Sequence, residues 1–246
     1  MKVLFLTSYL DCYYRDTDGN EYSQNFGNQN KILDNFKKYI KNYDNFLFVA
    51  SQNYDTETTD KYANLIFESF DKTLPFKNYN ILDHRQKQNA KDLVTNADFI
   101  FLSGGHIPSQ LVLFEELNLK EIIKETNAVI CGGSAGSMDS AKMVYCPPEL
   151  EGEAINENFS RYREGLGLTT INIYPHWRPE LIEEQFLDGK NIYREIMLED
   201  SKNLPFVAFD EGTYILQIDG KVELFGEGYR FENGKCEKIV DKFLLK

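Results

Sequence analysis

The chain has 246 residues, enough for one sizeable hydrophobic core, and we expect a single domain spanning residues 1–246. Its 39 Asp and Glu against 27 Lys and Arg give a formal net charge of -12, which opposes phosphate backbones and anionic bilayers, so neither nucleic acid nor membrane is expected as a partner. The four cysteines (Cys12, Cys131, Cys146, Cys236) are far apart and form no Cys/His cluster, so the sequence predicts no disulfide framework, metal or cofactor, and a reducing cytoplasm is the expected location.

The first apolar run, Met1 to Leu6, is too short for a signal peptide and is followed at once by Thr7 and Ser8. Residues 2–8 read as a first parallel strand, and Ile32, Leu33, Phe36, Tyr39 and Ile40 then share one face of a helix. Residues 9–29 lack periodicity and predict a long loop at the strand's carboxyl end. Further strands are expected over residues 45–51, 78–83 and 98–102. The helices alternating with them carry Tyr62, Leu65, Ile66 and Phe70, then residues 87–95, then 108–116. This alternation predicts an α/β fold, a mostly parallel sheet sandwiched by helices.

Residues 127–131 form a short β-branched run that leads into Gly132-Gly133-Ser134-Ala135-Gly136, and residues 137–144 carry small and apolar side chains at helical spacing. A serine in a tight small-residue turn between strand and helix has its hydroxyl pushed out of the sheet, with helix N–H groups aimed at the same place. Residues 149–164 are acidic and aperiodic, an expected excursion over the mouth of a site. Residues 167–174 predict a strand that delivers Pro175-His176-Trp177, and residues 179–186 and 190–198 predict helices broken at Gly189. After residue 206 the pattern is all strand, with hairpin turns at Asp219-Gly220 and Asn233-Gly234.

A serine hydroxyl needs a base, and the chain has three histidines. His84 sits between Asp83 and Arg85, a surface or structural setting. His106 follows Gly104-Gly105 and is placed to line a pocket. His176 ends a predicted strand and follows the serine in chain order, which makes it the best candidate. Gly105 and Ala135 are the expected oxyanion donors. The third triad member must be a carboxylate: Asp210 and Glu211 lie just after a predicted strand, and Glu149 lies in the excursion.

The blocks Phe101-Leu102-Ser103-Gly104-Gly105, Gly132-Gly133-Ser134-Ala135-Gly136, Tyr174-Pro175-His176 and Asp210-Glu211-Gly212-Thr213-Tyr214 together resemble the peptidase E (aspartyl dipeptidase) family, relatives of cyanophycinase. The resemblance covers nearly the whole chain. It implies a sheet like that of class I glutamine amidotransferases and a serine-type exopeptidase or dipeptidase acting on short peptides, with Ser134 as nucleophile, His176 as base, Gly105 and Ala135 as oxyanion donors and Glu211 favoured over Glu149 as the acid. The chain departs from the family in two small ways, with Ser137 in place of a usual alanine and His106 in place of a small amide. A larger departure is that an arginine-rich stretch after the histidine is missing, leaving Arg178 and Arg194, with His106, as candidate substrate contacts and weakening the expectation of aspartyl specificity. An esterase-type hydrolase and a non-catalytic sensor of small ligands are the alternatives; a monomer and a homodimer are equally compatible with the sequence.

Overall fold

The computed structural model describes residues 1–52 and 54–245, the last three by their backbone alone. Its centre is an eight-stranded sheet in the order Phe243–Leu245, Lys221–Phe225, Tyr214–Ile218, Val3–Thr7, Val129–Gly133, Phe99–Leu102, Asn45–Val49, Asn78–Leu82. The five strands from Val3–Thr7 to Asn78–Leu82 run parallel, and the other three are antiparallel to their neighbours. The α/β class and the mostly parallel sheet are as the alternating pattern predicts.

The inner strands are apolar throughout because both faces are covered. Helices Ile32–Tyr39 and Thr56–Thr73 bring Phe36 and Phe70 onto Phe5, Phe46 and Phe99 of the sheet, with ring centroids 4.7 Å apart for Phe5 and Phe36 and 4.8 Å for Phe46 and Phe70. All five rings are fully buried. Such ring pairs contribute about 0.5–1.5 kcal/mol each beyond the burial of their area. Helices Ala90–Asn96, Ile107–Glu116 and Leu119–Ile122 pack together as a second helical group. Among the described residues no helix is long and apolar enough to cross a membrane.

The late strands divide between two sheets. The hairpin Tyr214–Ile218/Lys221–Phe225 turns at Asp219 and Gly220, both at positive φ, and extends the main sheet. The hairpin Tyr229–Glu232/Lys235–Lys238 turns at Asn233 and Gly234 in the same way, but joins Ile173–Tyr174 and Phe206–Ala208 in a separate four-stranded sheet. That sheet has its own core, in which Trp177, Phe206, Phe231, Tyr145 and Met197 are buried. Phe206 and Phe231 stack at 4.8 Å.

Four local expectations need correction. Residues 9–29 are not all loop, since Tyr13–Arg15 and Glu21–Ser23 pair as a short antiparallel hairpin. The helix after the elbow is a single turn, Ala135–Met138, and the last two residues of the expected helix, Met143 and Val144, instead begin the strand Met143–Tyr145, paired with Tyr162–Glu164. Most of residues 167–174 is irregular because the backbone of Leu168 and Thr169 bonds to Ser140 and Lys142; only Ile173–Tyr174 is strand. Residues 179–198 form a 3-10 turn, a small hairpin whose bend is Asp188-Gly189, and a π-helical segment Ile192–Met197 rather than two α-helices.

The elbow demands glycine for reasons of space. A Cβ on Gly136 would stand 2.7 Å from the Ser103 carbonyl oxygen and closer still to that of Leu102, so the turn lies directly against the adjacent strand's backbone. Gly136→Ala is expected to destabilise the fold by about 3 kcal/mol or more, the upper range for overpacking, because backbone atoms cannot rotate away. Gly27→Ala, where a Cβ meets nothing, is expected to stay within about 0.5 kcal/mol. Urea-unfolding midpoints of the two variants measure the contrast; equal midpoints would contradict it.

Candidate active site

The carboxyl ends of three adjacent parallel strands converge at Ser134. Leu6 and Leu102 both pair with Gly132, and Thr7 pairs with Gly133, so Ser8, Ser103-Gly104 and Ser134 emerge side by side. Ser134 has φ 50° and ψ -119°, a conformation that costs a non-glycine residue about 1–3 kcal/mol. Surrounding bonds hold it there. Its N–H lies 3.0 Å from both the Thr7 and Ser8 carbonyl oxygens, and its own carbonyl accepts from Ser137 and Met138. Ser137, fully buried, accepts the Thr7 N–H at 2.8 Å and donates to the Thr7 carbonyl at 2.9 Å, while Thr7 Oγ1 donates to Gly132 O at 2.7 Å. The hydroxyl at position 137 is thus a clamp between the first strand and the elbow, which accounts for that departure from the family pattern.

His176 faces the serine from the second sheet. Tyr174 pairs with Ala208, Phe209 N–H donates to the Tyr174 carbonyl and Trp177 N–H to the Phe209 carbonyl, with Trp177 sunk in the second core. Between these anchors His176 takes a positive φ of 57° and its N–H donates to Ser8 Oγ at 2.6 Å. Its Nε2 lies 3.1 Å from Ser134 Oγ. The imidazole keeps 44% of its side-chain surface open, yet it sits in a recess where protein replaces much of the solvent. That loss of solvation lowers its pKa below the usual 6.5 against the opposing pull of Glu211, so at neutral pH the ring is the uncharged form that accepts a proton.

Glu211 Oε1 stands 3.6 Å from His176 Nδ1. Asp210 accepts the Glu211 N–H at 2.7 Å, and the Arg178 guanidinium lies 3.6 Å from Glu211 Oε1 and 4.0 Å from Asp210 Oδ1. Arg178 is therefore turned to these carboxylates. Glu149 lines a cavity together with Ser134, Tyr174, Pro175 and His176. Solvent still reaches it through that cavity, but protein hems it in, and this burial, with Glu153 nearby, pushes its carboxyl up to about 7.

Gly104 and Gly105 line a second cavity together with Ser134 and His176. A Cβ on Gly104 would be 3.0 Å from Ser134 Cβ, and one on Gly105 would overlap Ser51, so both glycines permit a close approach. Ala135 is the first residue of the helical turn, where N–H groups have no acceptor within the helix.

Two sequence candidates are not brought to the serine. His106 bonds through Nδ1 to Ser109 Oγ and through Nε2 to Glu153 Oε1, both at 3.0 Å, and lines neither cavity. Arg194 pairs with Glu183 and also lines neither. His84 packs its ring against Tyr54, 4.9 Å between centroids. Sequence reasoning missed Ser8: a serine at the end of an apolar strand signals only that the strand is ending. Among the described residues no group of three or more His, Cys, Asp or Glu is placed to hold a metal ion.

Solved structures share this fold. The chain matches a protein provisionally assigned as a peptidase E from Listeria monocytogenes EGD-e, with 16% identity and a TM-score of 0.59 over 91% of this chain and 98% of that one. It also matches a peptidase from an acI-B1 Actinobacterium, with 14% identity and a TM-score of 0.64 over 98% and 95% of the two chains. No curated protein matches the sequence. The sequence model of Peptidase family S51 matches residues 19–225, a span that includes the glycine pair, the elbow, the histidine and the late acidic block, and the chain belongs to that family.

Proposed function

We propose that this peptidase is a serine-type exopeptidase or dipeptidase that cleaves short peptides through an acyl-enzyme. The observation that carries the reading is the 3.1 Å approach of the His176 imidazole to a serine held at a strained elbow. Ser134 Oγ attacks the scissile carbonyl carbon as His176 Nε2 takes its proton. The oxygen of the tetrahedral intermediate faces the N–H groups of Gly105 and Ala135, donors of a kind worth roughly 3 kcal/mol each. As the C–N bond breaks, His176 passes the proton to the leaving amine. Water, deprotonated by the same imidazole, then attacks the acyl ester and releases the acid, and Ser134 recovers its proton.

Glu211 is the orienting carboxylate in this scheme. Its 3.6 Å separation from Nδ1 is longer than a hydrogen bond, as is common before substrate binds, and its charge favours the imidazolium formed during attack. Glu149 lies in the cavity rather than behind the imidazole, so it acts on substrate. The reactants of these steps are the peptide and water.

Ser134→Ala is expected to abolish hydrolysis and labelling by a fluorophosphonate, read by mass spectrometry, with the fold intact; turnover within tenfold of the parent would reject the serine mechanism. The acidic limb of kcat/KM follows His176, which must be neutral to act. Because burial lowers its pKa, activity should persist at pH 6.5 and fall only as the pH drops further. Glu211→Gln removes the charge that raises that pKa, so the limb should move to lower pH while kcat falls by about 10²-fold or more. Glu149→Gln should change KM more than kcat, and the opposite ranking would move the triad to Glu149. Ser8→Ala frees the backbone of His176 and should lower kcat by about 10-fold to 100-fold with KM nearly unchanged, the signature of a displaced base in a site that still binds; a change confined to KM would remove Ser8 from the positioning role.

A further inference from the structure

Ser134 and His176 form the ridge between the two cavities, and the walls on either side differ in charge. The first cavity, about 280 Å³, has no Asp, Glu, Lys or Arg among its lining residues; Phe48, Phe101, Tyr13, Tyr62 and Ile66 give it an aromatic and aliphatic wall. It also holds Ser103, which is only 6% exposed and whose hydroxyl has no hydrogen-bond partner. A buried hydroxyl without a partner is costly unless something that binds there satisfies it. The second cavity, about 380 Å³, carries Glu149 and Glu184 with Tyr174 and Phe186, and no lining cation. The first two arginines after His176 in the chain are committed elsewhere, Arg178 to Asp210 and Glu211, and Arg194 to Glu183.

Resting on the serine peptidase reading above, we infer that the substrate straddles this ridge, with a cationic N-terminal residue in the cavity of Glu149 and Glu184 and a neutral aromatic or aliphatic residue beyond the scissile bond in the uncharged cavity. The orientation follows from covalent structure. In an unblocked dipeptide the α-ammonium is two bonds from the carbonyl carbon that Ser134 attacks, so the acyl half must lie where the carboxylates are. A lysine or arginine side chain in that half adds a second positive charge for the second carboxylate. The leaving half then places its side chain among Phe48, Phe101 and Tyr62 and offers its terminal carboxylate or amide to the Ser103 hydroxyl. An N-terminal aspartyl residue would instead bring like charge to Glu149 and Glu184.

Ser134→Ala protein, which cannot turn substrate over, allows the subsites to be measured by binding alone. Calorimetric titration at pH 8, where Glu149 is ionised, should show Lys-Phe binding at least tenfold more tightly than Asp-Phe and more tightly than Phe-Lys. Glu149→Gln and Glu184→Gln, each added separately to that background, should weaken Lys-Phe about fivefold or more and leave Asp-Phe unchanged or stronger. Tighter binding of Asp-Phe or Phe-Lys, failure of all three peptides to bind, or a Lys-Phe affinity indifferent to both glutamates would overturn the assignment. The parent enzyme separates this inference from the reading beneath it. Hydrolysis that prefers Asp-Phe would keep the peptidase and reject the subsites, whereas the expected binding order with no release of lysine would keep the subsites and reject the peptidase.

Discussion

One buried residue ties the reactive pair together. Ser8 ends the first strand, its carbonyl oxygen 3.0 Å from the Ser134 N–H and its hydroxyl accepting the His176 N–H at 2.6 Å. The same hydroxyl donates to the Phe209 carbonyl at 3.3 Å, just before Asp210 and Glu211. The serine belongs to the main sheet, and the histidine and acid to segments anchored in the other one. Their separation is therefore fixed at a junction between two hydrophobic cores, and a shift of either sheet would change the Ser134–His176 distance.

Both members of the pair hold positive φ angles that β-carbon-bearing residues avoid. Around Ser134 the strain is sustained by the Thr7–Ser137 clamp and by glycines at 132, 133 and 136, whose missing side chains let the turn lie against neighbouring backbone and Phe101. Around His176 it is sustained by Tyr174 on one side and Trp177 on the other, each bonded to the Phe206–Phe209 segment. Local strain in both places is thus over-determined by packing that forms only when the whole fold does.

How much of this could be read from the sequence depended on the range of the interaction. Strands such as Phe99–Leu102 declare themselves as short unbroken apolar runs, amphipathic helices such as Thr56–Thr73 through local periodicity, and the turns at Asp219-Gly220 and Asn233-Gly234 through turn chemistry. The elbow was legible because its constraint is steric and local. Which sheet a late strand joins was not, because Phe206–Ala208 and Tyr214–Ile218 have similar patterns and differ only in the partners they meet. The elbow helix ended early because Met143–Tyr145 finds a partner in Tyr162–Glu164, seventeen or more residues away in sequence by simple count. The sequence order that suggested His106 and Arg194 as substrate contacts carried no information about Glu153 and Glu183, which claim them.

The wall that carries Glu149 is assembled from two loops fastened by a few polar contacts. Asp188, at the bend of the small hairpin, accepts the N–H groups of Gly152 and Ala154, Lys190 donates to the Ala154 carbonyl, and Glu153 accepts the N–H groups of Glu149 and Leu150 while holding His106. None of these contacts uses the sheet strands that carry Ser134 or the anchors of His176. The rim can therefore be lengthened, shortened or recharged by insertion and substitution while the reactive centre keeps its geometry, a division of labour that lets one scaffold diversify its diet without relearning its chemistry.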